Sequence, residues 1–352
     1  MIDIVPFLEK VLSVSGLSNH ETPAREIIAE AWKPLCDEMQ VSRLGSLHAL
    51  RRGSGPEPRP RLLMMAHMDA IGLMVTGIKD GFLRFTQVGG VDPRILPGQM
   101  VTVHGREDLP AMVVQPPVRL LPPGFAAKPV SMEHLLIDTG LLPADVERLV
   151  RVGDLVSFAQ PPVQLGKSAL SGHTLDNRAS VAAVTVCLDE LQKRKHVWDV
   201  WAVASVSEEE TLGGAFTSAF DLRPDLAIII DVTFAKGPGA NEFNTYPLGK
   251  GVALGWGPNV HPALHNSFKD LAETLEIPIH MDVMPRMSGT DAMGVQVTAE
   301  GIPCMVLGIP LRYMHTPVET VSIKDILRTG RLMAEFITRA EADFVEKITW
   351  DK

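Results

Sequence analysis

The segment Ser207–Ala215 reads Ser-Glu-Glu-Glu-Thr-Leu-Gly-Gly-Ala and directly follows an almost uninterrupted apolar run at Val200–Val206. The Val and Trp content and the short length of that run predict a buried strand. Three carboxylates at the end of a buried strand repel one another, and a bound cation offsets that repulsion. We therefore expect a metal site at the carboxyl end of this strand, where open α/β sheets place their ligands. A solvated acidic turn that begins the next helix is the alternative.

Composition limits the classes of protein to consider. The chain has 352 residues, 45% of them hydrophobic and 21% charged, as in a soluble globular protein with one large domain or two. The formal net charge of -9 argues against nucleic acid as a partner. No apolar run approaches the ~18 residues of a membrane helix, no signal peptide is evident at Met1–Leu12, and the three cysteines form no CxxC pair. We expect a cytoplasmic protein without a membrane partner.

The pattern of apolar residues divides the chain into an α/β part and a β-rich insertion. Before residue 66 it predicts two helices and then a β-hairpin, formed by Leu47–Arg51 and Arg61–Met65 around a loop with Gly and Pro. Short β-like runs separated by Gly and Pro then indicate a small β domain or barrel, with one helix at Ala144–Val150. Strands and helices alternate again afterwards. We expect an α/β domain at 1–73 and 167–352, interrupted by an insertion at 74–166.

Several acidic and histidine residues stand at the ends of predicted strands. His67 and Asp69 are two residues apart after a strand, so an extended chain points both side chains the same way. Asp69 is then suited to orient the imidazole of a metal-bound His67. A histidine with ordinary hydrogen bonds near a strand end is the alternative.

Three further candidates have equally simple alternatives. Asp176 precedes an apolar helix, where it either caps the helix or bridges two cations through its two oxygens. Asp231 follows the apolar run Leu226–Ile230, and His315 lies downstream of the apolar run Cys304–Leu307. Each of the last two is also explained as an ordinary loop residue.

Taken together, these residues form a set of carboxylates and imidazoles suited to Zn²⁺, Co²⁺ or Mn²⁺. The candidate ligands are His67, Asp176, Glu209, Asp231 and His315. Glu208 remains free to act as a general base on a water molecule. The spacing permits this set but does not select it from other pairings.

Six segments, in this order, resemble the tetrahedral or glutamyl aminopeptidase family. They are Ala66–Gly72, Leu175–Arg178, Ser207–Glu209, Asp231–Thr233, Ser288–Ala292 and Arg312–Glu319. The match spans nearly the whole chain, and the combination is far more specific than any single segment.

The resemblance implies a mixed-sheet α/β/α metallopeptidase domain with an inserted oligomerisation domain at 74–166. It implies a dinuclear aminopeptidase that removes N-terminal residues from short peptides with metal-activated water, using two divalent ions, Zn²⁺ or Co²⁺. Asp176 resembles the bridging ligand, Glu208 the catalytic base and Asp69 the carboxylate behind His67. His67 and Asp231 would complete one metal site, and Glu209 and His315 the other. A homo-oligomer is expected, a dodecamer or a dimer.

The sequence departs from the family pattern around these segments. Ser207 replaces a common Gln, and Glu210, Thr211 and Gly213 replace Val, Gly and Arg; Ser180 stands where Gly is frequent. These changes leave the proposed ligands intact but bear on substrate preference and assembly. We expect Glu210 to face solvent at the start of a helix.

Other functions and sites are weaker interpretations. A hydrolase of another amide, such as an acylated amino acid, fits the same metal site, and a scaffold that has lost its chemistry would keep the same fold. Glycoside cleavage needs two carboxylates beside the sugar, whereas these acids are expected to bind metals. His104 and His173 lie beside glycines and are expected at the surface.

Overall fold

The computed structural model describes residues 2–120 and 131–349. The helices are α1 (Val5–Leu12), α2 (Thr22–Trp32), α3 (Pro143–Leu149), α4 (Leu175–Leu191), α5 (Glu208–Thr211), α6 (Gly213–Leu222), α7 (Pro262–Thr274), α8 (Ala292–Gln296), α9 (Ile323–Arg339) and α10 (Phe344–Lys347). The strands are β1 (Glu38–Val41), β2 (Leu47–Arg51), β3 (Arg61–His67), β4 (Gly72–Lys79), β5 (Phe82–Val88), β6 (Met100–His104), β7 (Asp108–Val114), β8 (Leu136–Asp138), β9 (Leu155–Phe158), β10 (Val163–Leu165), β11 (Ala169–Gly172), β12 (Asp199–Ser205), β13 (Leu226–Phe234), β14 (Val252–Trp256), β15 (Ile279–Val283), β16 (Cys304–Arg312) and β17 (Glu319–Ser322).

A mixed sheet of 11 strands forms the centre of the larger domain. Its main path runs β1-β2-β12-β3-β13-β16-β17-β11-β10, and β14 and β15 extend from β16. The neighbours β12, β3, β13 and β16 run parallel to one another. Their carboxyl ends therefore meet at one edge of the sheet, which is the edge that the sequence predicts for the metal site.

The central strands are buried because helices cover them. In β3 every residue from Leu62 to His67 is buried, and β13 is buried from Leu226 to Val232, as expected for parallel strands between layers of helices. Helix α4 packs on β3 and β13 and contacts α9 and α1, while α6 packs on β12 and contacts α8. The predicted mixed α/β fold is confirmed. No helix of the described residues is long and apolar enough to cross a membrane.

A closed barrel of six strands, in the order β4-β5-β8-β7-β6-β9, forms the second unit. All six pairings are antiparallel, and the barrel has its own apolar core, which includes Val75, Leu83 and Val101. Closure leaves no unpaired edge strand within the barrel. The predicted β-barrel character and the predicted helix, here α3, are confirmed.

Two local predictions are wrong. The strands Leu47–Arg51 and Arg61–Met65 form no hairpin, because β12 lies between β2 and β3 and pairs with both of them. His173 is not at the surface: it is 5% exposed and packs edge-on against Phe158, with ring centroids 5.0 Å apart. Burial, and then the charge of Arg178, lowers the pKa of His173 to about 3.

Candidate metal centre

All five predicted ligands lie together at the carboxyl edge of the parallel strands. His67 ends β3, Asp231 lies near the end of β13, and Glu209 is in the short helix that follows β12. Asp176 begins α4, and His315 lies in the connection between β16 and β17. The fold thus gathers residues that are up to 248 positions apart in the sequence.

Asp176 lies between the two histidines. Its Oδ1 is 3.2 Å from Nε2 of His67, and its Oδ2 is 3.4 Å from Nε2 of His315. His67 Nε2 is also 3.8 Å from Oδ1 of Asp231, and His315 Nε2 is 3.5 Å from Oε2 of Glu209. The cluster therefore has two halves, each with one imidazole and one further carboxylate, which share Asp176.

Glu208 is near enough to the cluster to contribute a donor atom of its own. Its Oε2 is 3.7 Å from Nε2 of His67. Two groups of three residues have donor atoms that all lie within 4.8 Å of one another; these are His67, Glu208 and Asp231, and His67, Asp176 and Glu209. Glu208 therefore lies in the position of a further donor beside His67 and Asp231.

Asp69 has more contacts than the sequence indicated. Its Oδ1 is 3.4 Å from Nδ1 of His67, the contact expected of a carboxylate that orients the ring. It also accepts hydrogen bonds from the backbone N–H groups of Glu208 and Glu209, at 3.0 and 3.3 Å, and from the hydroxyl of Ser18 at 2.7 Å. Asp69 thus joins the end of β3 to the acidic turn after β12.

Glu319 is a buried carboxylate that the sequence analysis assigned no role. It is 2% exposed, and its two oxygens accept the backbone N–H groups of Asp176 and His315, each at 2.9 Å. Asp176 lies in the middle of the cluster and His315 lies in the half that contains Glu209, so Glu319 joins two separate segments of the site. The only signal in the sequence was the position of Glu319 at the end of a matching segment.

Two other buried polar residues support the site from behind. Asp291 is 1% exposed and accepts a hydrogen bond of 2.5 Å from the hydroxyl of Ser205 on β12. Arg178 is fully buried and donates to the backbone oxygens of Val11, Val14 and Met68. The guanidinium thereby ties the segment after α1 to the segment that carries Asp69. Nothing in the spacing of the sequence pointed to these contacts.

The cluster holds more negative charge than it can balance. Burial, and then the charge of Asp176, raises the pKa of Glu209 well above its usual range, and burial likewise raises the pKa of Asp231. Burial raises the pKa of Glu208 to about 8 despite the opposing effect of His67. In the part of the chain that the structure describes, no Lys or Arg forms an ion pair with these carboxylates.

The histidines offset only part of that charge. Burial opposes a charge on His67, yet the surrounding carboxylates, led by Glu208, raise its pKa well above the usual value. Burial also opposes ionisation of Asp176, but hydrogen bonds from His315 and His67 hold its pKa below the usual range. Buried carboxylates without basic partners are costly, and a divalent cation would offset that cost. The donor set therefore fits hard or borderline metal ions.

Several residues at or beside the cluster have a strained backbone. Thr174, Ser207 and His315 have φ values of 69°, 57° and 61°, in the left-handed region that residues other than glycine seldom occupy. Each costs of order 1–3 kcal/mol and persists only where the surrounding structure imposes it. Each of these three belongs to the cluster or lies within two residues of one of its members, as strained positions at functional sites commonly do.

Glu210, the third residue of the acidic run, is exposed as predicted. It also accepts a hydrogen bond of 2.5 Å from the backbone N–H of Gly89, directly after β5 of the barrel. The run therefore divides into two residues that face the cluster and one that contacts the barrel.

Two cavities lie near these residues. One of about 620 Å³ contains the cluster and continues along β13 and β15, past Thr233 and Asp282. The other, of about 870 Å³, lies between the segment after α1 and the barrel, and none of the cluster residues lines it. In the larger cavity His104 hydrogen-bonds to Asp108 and Ser157, at 2.7 and 2.8 Å, and so joins three strands of the barrel. The smaller cavity is therefore the one that contains the candidate metal ligands.

Comparison with known proteins agrees with this geometry. The M42 glutamyl aminopeptidase family model matches residues 45–332. A lysyl aminopeptidase of Pyrococcus furiosus is 33% identical over 332 residues, covering 92% of this chain and 94% of that relative.

Two solved structures share the whole fold. The TET aminopeptidase of the marine sediment archaeon Thaumarchaeota archaeon SCGC AB-539-E09 has a TM-score of 0.91 at 29% identity, covering 98% of this chain and 99% of that one. The TET1 peptidase of Pyrococcus horikoshii, which can assemble into a tetrahedron or a large octahedral shell, has a TM-score of 0.82 at 27% identity, covering 96% and 100%.

The mixed sheet, the inserted barrel and the cluster of carboxylates and imidazoles together define a peptide hydrolase of the metallopeptidase class. Within that class the chain belongs to the M42 glutamyl aminopeptidase family, and it is an aminopeptidase. Membership of this family implies divalent metal ions.

Proposed function

We propose that the protein is a dinuclear metal-dependent aminopeptidase that removes N-terminal residues from short peptides, with Glu208 as the general base. The observation that carries the proposal is the position of Asp176, whose two oxygens lie 3.2 and 3.4 Å from the imidazoles of His67 and His315. A carboxylate with each oxygen facing a different histidine is suited to bridge two cations.

The residues divide between the two ions as follows. His67 and Asp231 would hold one ion and Glu209 and His315 the other, with Asp176 shared; Zn²⁺ and Co²⁺ suit these donors best. When bound, such ions supply Lewis acidity that lowers the pKa of water and stabilises negative charge on an attacked carbonyl oxygen.

The side chains of this protein supply the proton transfer and the orientation. Glu208 takes a proton from the attacking water and returns it to the leaving amine. Without metal, burial raises the pKa of Glu208 to about 8, and bound cations would lower it, so that the carboxylate is ionised and able to accept a proton. Asp69 orients His67 through Nδ1 and holds the backbone of Glu208, so that the base and the first ligand keep a fixed relation.

The domain division and the assembly are also proposed. We assign 1–73 and 167–352 to catalysis and 74–166, the barrel region, to oligomerisation, with a dodecamer as the preferred state and a dimer as the alternative. The assembly of the related TET1 peptidase into closed shells supports this proposal. Mass measurement of the purified protein distinguishes the two states.

Hydrolysis of aminoacyl p-nitroanilides tests the proposed activity. We expect activity with Zn²⁺ or Co²⁺, loss of activity with a chelator, and recovery when metal is returned. Substrates with an acetylated α-amino group should not be cleaved, because an aminopeptidase requires a free N-terminus. Cleavage of acetylated substrates only would contradict the peptidase and favour an acyl-amino acid hydrolase; absence of bound metal and of all activity would indicate a scaffold.

A further inference from the structure

The cavity of about 620 Å³ beside the cluster has an apolar wall and one carboxylate that is not part of the cluster. The wall is formed by Leu212, Phe234, Val283, Met284 and Met293. Asp282, on β15, is the acidic residue. Among the described residues that line this cavity there is no Lys or Arg.

Two hydroxyl groups hold Asp282 in place. Thr233 donates to Oδ2 at 2.8 Å, and Tyr246 donates to Oδ1 at 3.0 Å. An ionised carboxylate has about four acceptor positions, so each oxygen can accept another hydrogen bond. No basic side chain of the described residues forms an ion pair with Asp282. The carboxylate is therefore fixed in orientation and open to a cation from the cavity.

Asp282 lies within reach of a lysine side chain whose α-carbon is near the cluster. Thr233 follows Asp231 by two residues on β13, so it lies on the same face about 7 Å further along the strand. With the 2.8 Å hydrogen bond to Thr233, the carboxylate of Asp282 lies at most roughly 10 Å from Asp231. The five bonds from Cα to Nζ of an extended lysine span roughly 6 Å. A substrate residue whose α-carbon lies a few ångströms from the cluster therefore reaches Asp282 with its ammonium group.

We propose that this cavity receives the side chain of the substrate's N-terminal residue and that Asp282 selects a basic one, lysine or arginine. This inference rests on the proposed aminopeptidase function. The methionines and Val283 pack along the methylene stem, while the ammonium or guanidinium group pairs with the carboxylate. An acidic N-terminal residue meets like charge at Asp282 with no basic side chain to offset it, and is excluded.

The test compares lysine with norleucine, which has a straight apolar chain without the ammonium group. We expect the metal-loaded enzyme to cleave lysyl p-nitroanilide with a kcat/KM at least tenfold above that of the norleucyl substrate, and to cleave the glutamyl substrate least. Asp282→Asn should lower kcat/KM for lysine by about tenfold to hundredfold, because a hydrogen bond to an ionised partner is lost, and leave norleucine within about threefold.

Tyr246→Phe is the matched control, because it removes one hydroxyl that holds Asp282 and keeps the carboxylate. Because Thr233 still donates to the carboxylate, this variant should keep a preference for lysine that is weaker than in wild type and stronger than in Asp282→Asn. If Asp282 is only a structural link between Thr233 and Tyr246, each variant will lower kcat/KM for the lysyl and the norleucyl substrate by the same factor, and the inference is overturned. A wild-type enzyme that prefers norleucine or glutamate also overturns it while leaving the proposed activity intact. Failure to cleave any free aminoacyl substrate overturns the proposed function and this inference with it.

Discussion

Replacing Glu319 by Gln tests whether this residue holds Asp176 and His315 in the positions that metal binding requires. Glu319 is 2% exposed, and its oxygens accept the backbone N–H groups of Asp176 and His315, each at 2.9 Å. Glutamine has the same shape, but its amide nitrogen cannot accept a hydrogen bond. One of the two N–H groups is therefore left facing another donor in a buried site.

The expected effect is on metal affinity more than on the fold. Loss of a group that orients a metal ligand typically weakens binding by about 10- to 100-fold, which corresponds to about 1.4–2.7 kcal/mol. Leaving a buried donor without a partner also lowers the free energy of unfolding of the metal-free protein by about 1–3 kcal/mol. Glu319→Asp keeps two acceptor oxygens on a shorter stem and should fall between wild type and Glu319→Gln.

The assay is a competition for Zn²⁺ against a chromophoric chelator, combined with urea unfolding of the metal-free proteins. Glu341→Gln is the control, since Glu341 is exposed and pairs only with Lys347 in the described part of the chain. A Zn²⁺ affinity of Glu319→Gln within twofold of wild type, in a folded protein, would refute the role assigned to Glu319.

Two further predictions concern stability. A Cβ at Gly330 would lie 2.6 Å from both the backbone oxygen of Ala183 and Cβ of Val186, so Gly330→Ala should push α9 away from α4. The free energy of unfolding should fall by about 1–2 kcal/mol, because the higher helix propensity of alanine offsets part of the cost of the clash. Gly237→Ala, which meets nothing within 4 Å, should stay within about 0.5 kcal/mol in the same urea titration. Since the pKa of buried His173 is lowered to about 3, the unfolded chain binds a proton that the native state does not, and this contributes stability at neutral pH that is lost as pH falls below about 6.5. In metal-free protein the His173 contribution to the free energy of unfolding should fall by about 2 kcal/mol from pH 8 to pH 5. Urea titrations at several pH values should show that His173→Gln lacks this fall. The same pH dependence in wild type and variant would contradict the assignment.

The strand ends and their acidic residues were predictable because they depend on local pattern. Apolar runs that stop at His67, Glu208 and Asp231 indicate parallel strands whose carboxyl ends share an edge, and the structure brings these residues together. The predicted metal roles of the individual residues stay predictions until metal is measured.

Strand pairing was less predictable, since it is set by contacts that are distant in the sequence. Leu47–Arg51 and Arg61–Met65 have the local pattern of a hairpin, yet β12, more than 130 residues later, fits between them. β12 pairs with β3 in parallel and with β2 antiparallel, so both strands gain a hydrogen-bonded partner. Val200 and Ala202–Ser205 of β12 are buried, as in a strand at the centre of a sheet covered by helices.

Glu319 was missed for a similar reason, and so were the backbone contacts of Asp69, whose role beside His67 was predicted. Glu319 and Asp69 act on the backbone N–H groups of other loops, and the identity of those partners does not appear in any spacing. Asp282 gave no signal either, because its place beside the cluster depends on β15 joining β14 at the side of the sheet. Roles of this kind become visible only when the positions of the loops are known.

The most direct test of the proposed site is metal content measured together with turnover in variants of the acidic run. Wild-type protein should bind two ions per chain by elemental analysis and cleave aminoacyl p-nitroanilides. Glu209→Ala should lose metal, Glu208→Gln should keep both ions and lose at least 100-fold in kcat, and Glu210→Ala, which loses only the contact with Gly89, should change little. Full activity in Glu208→Gln at full metal occupancy, or one ion per wild-type chain, would contradict a two-metal site with Glu208 as its base.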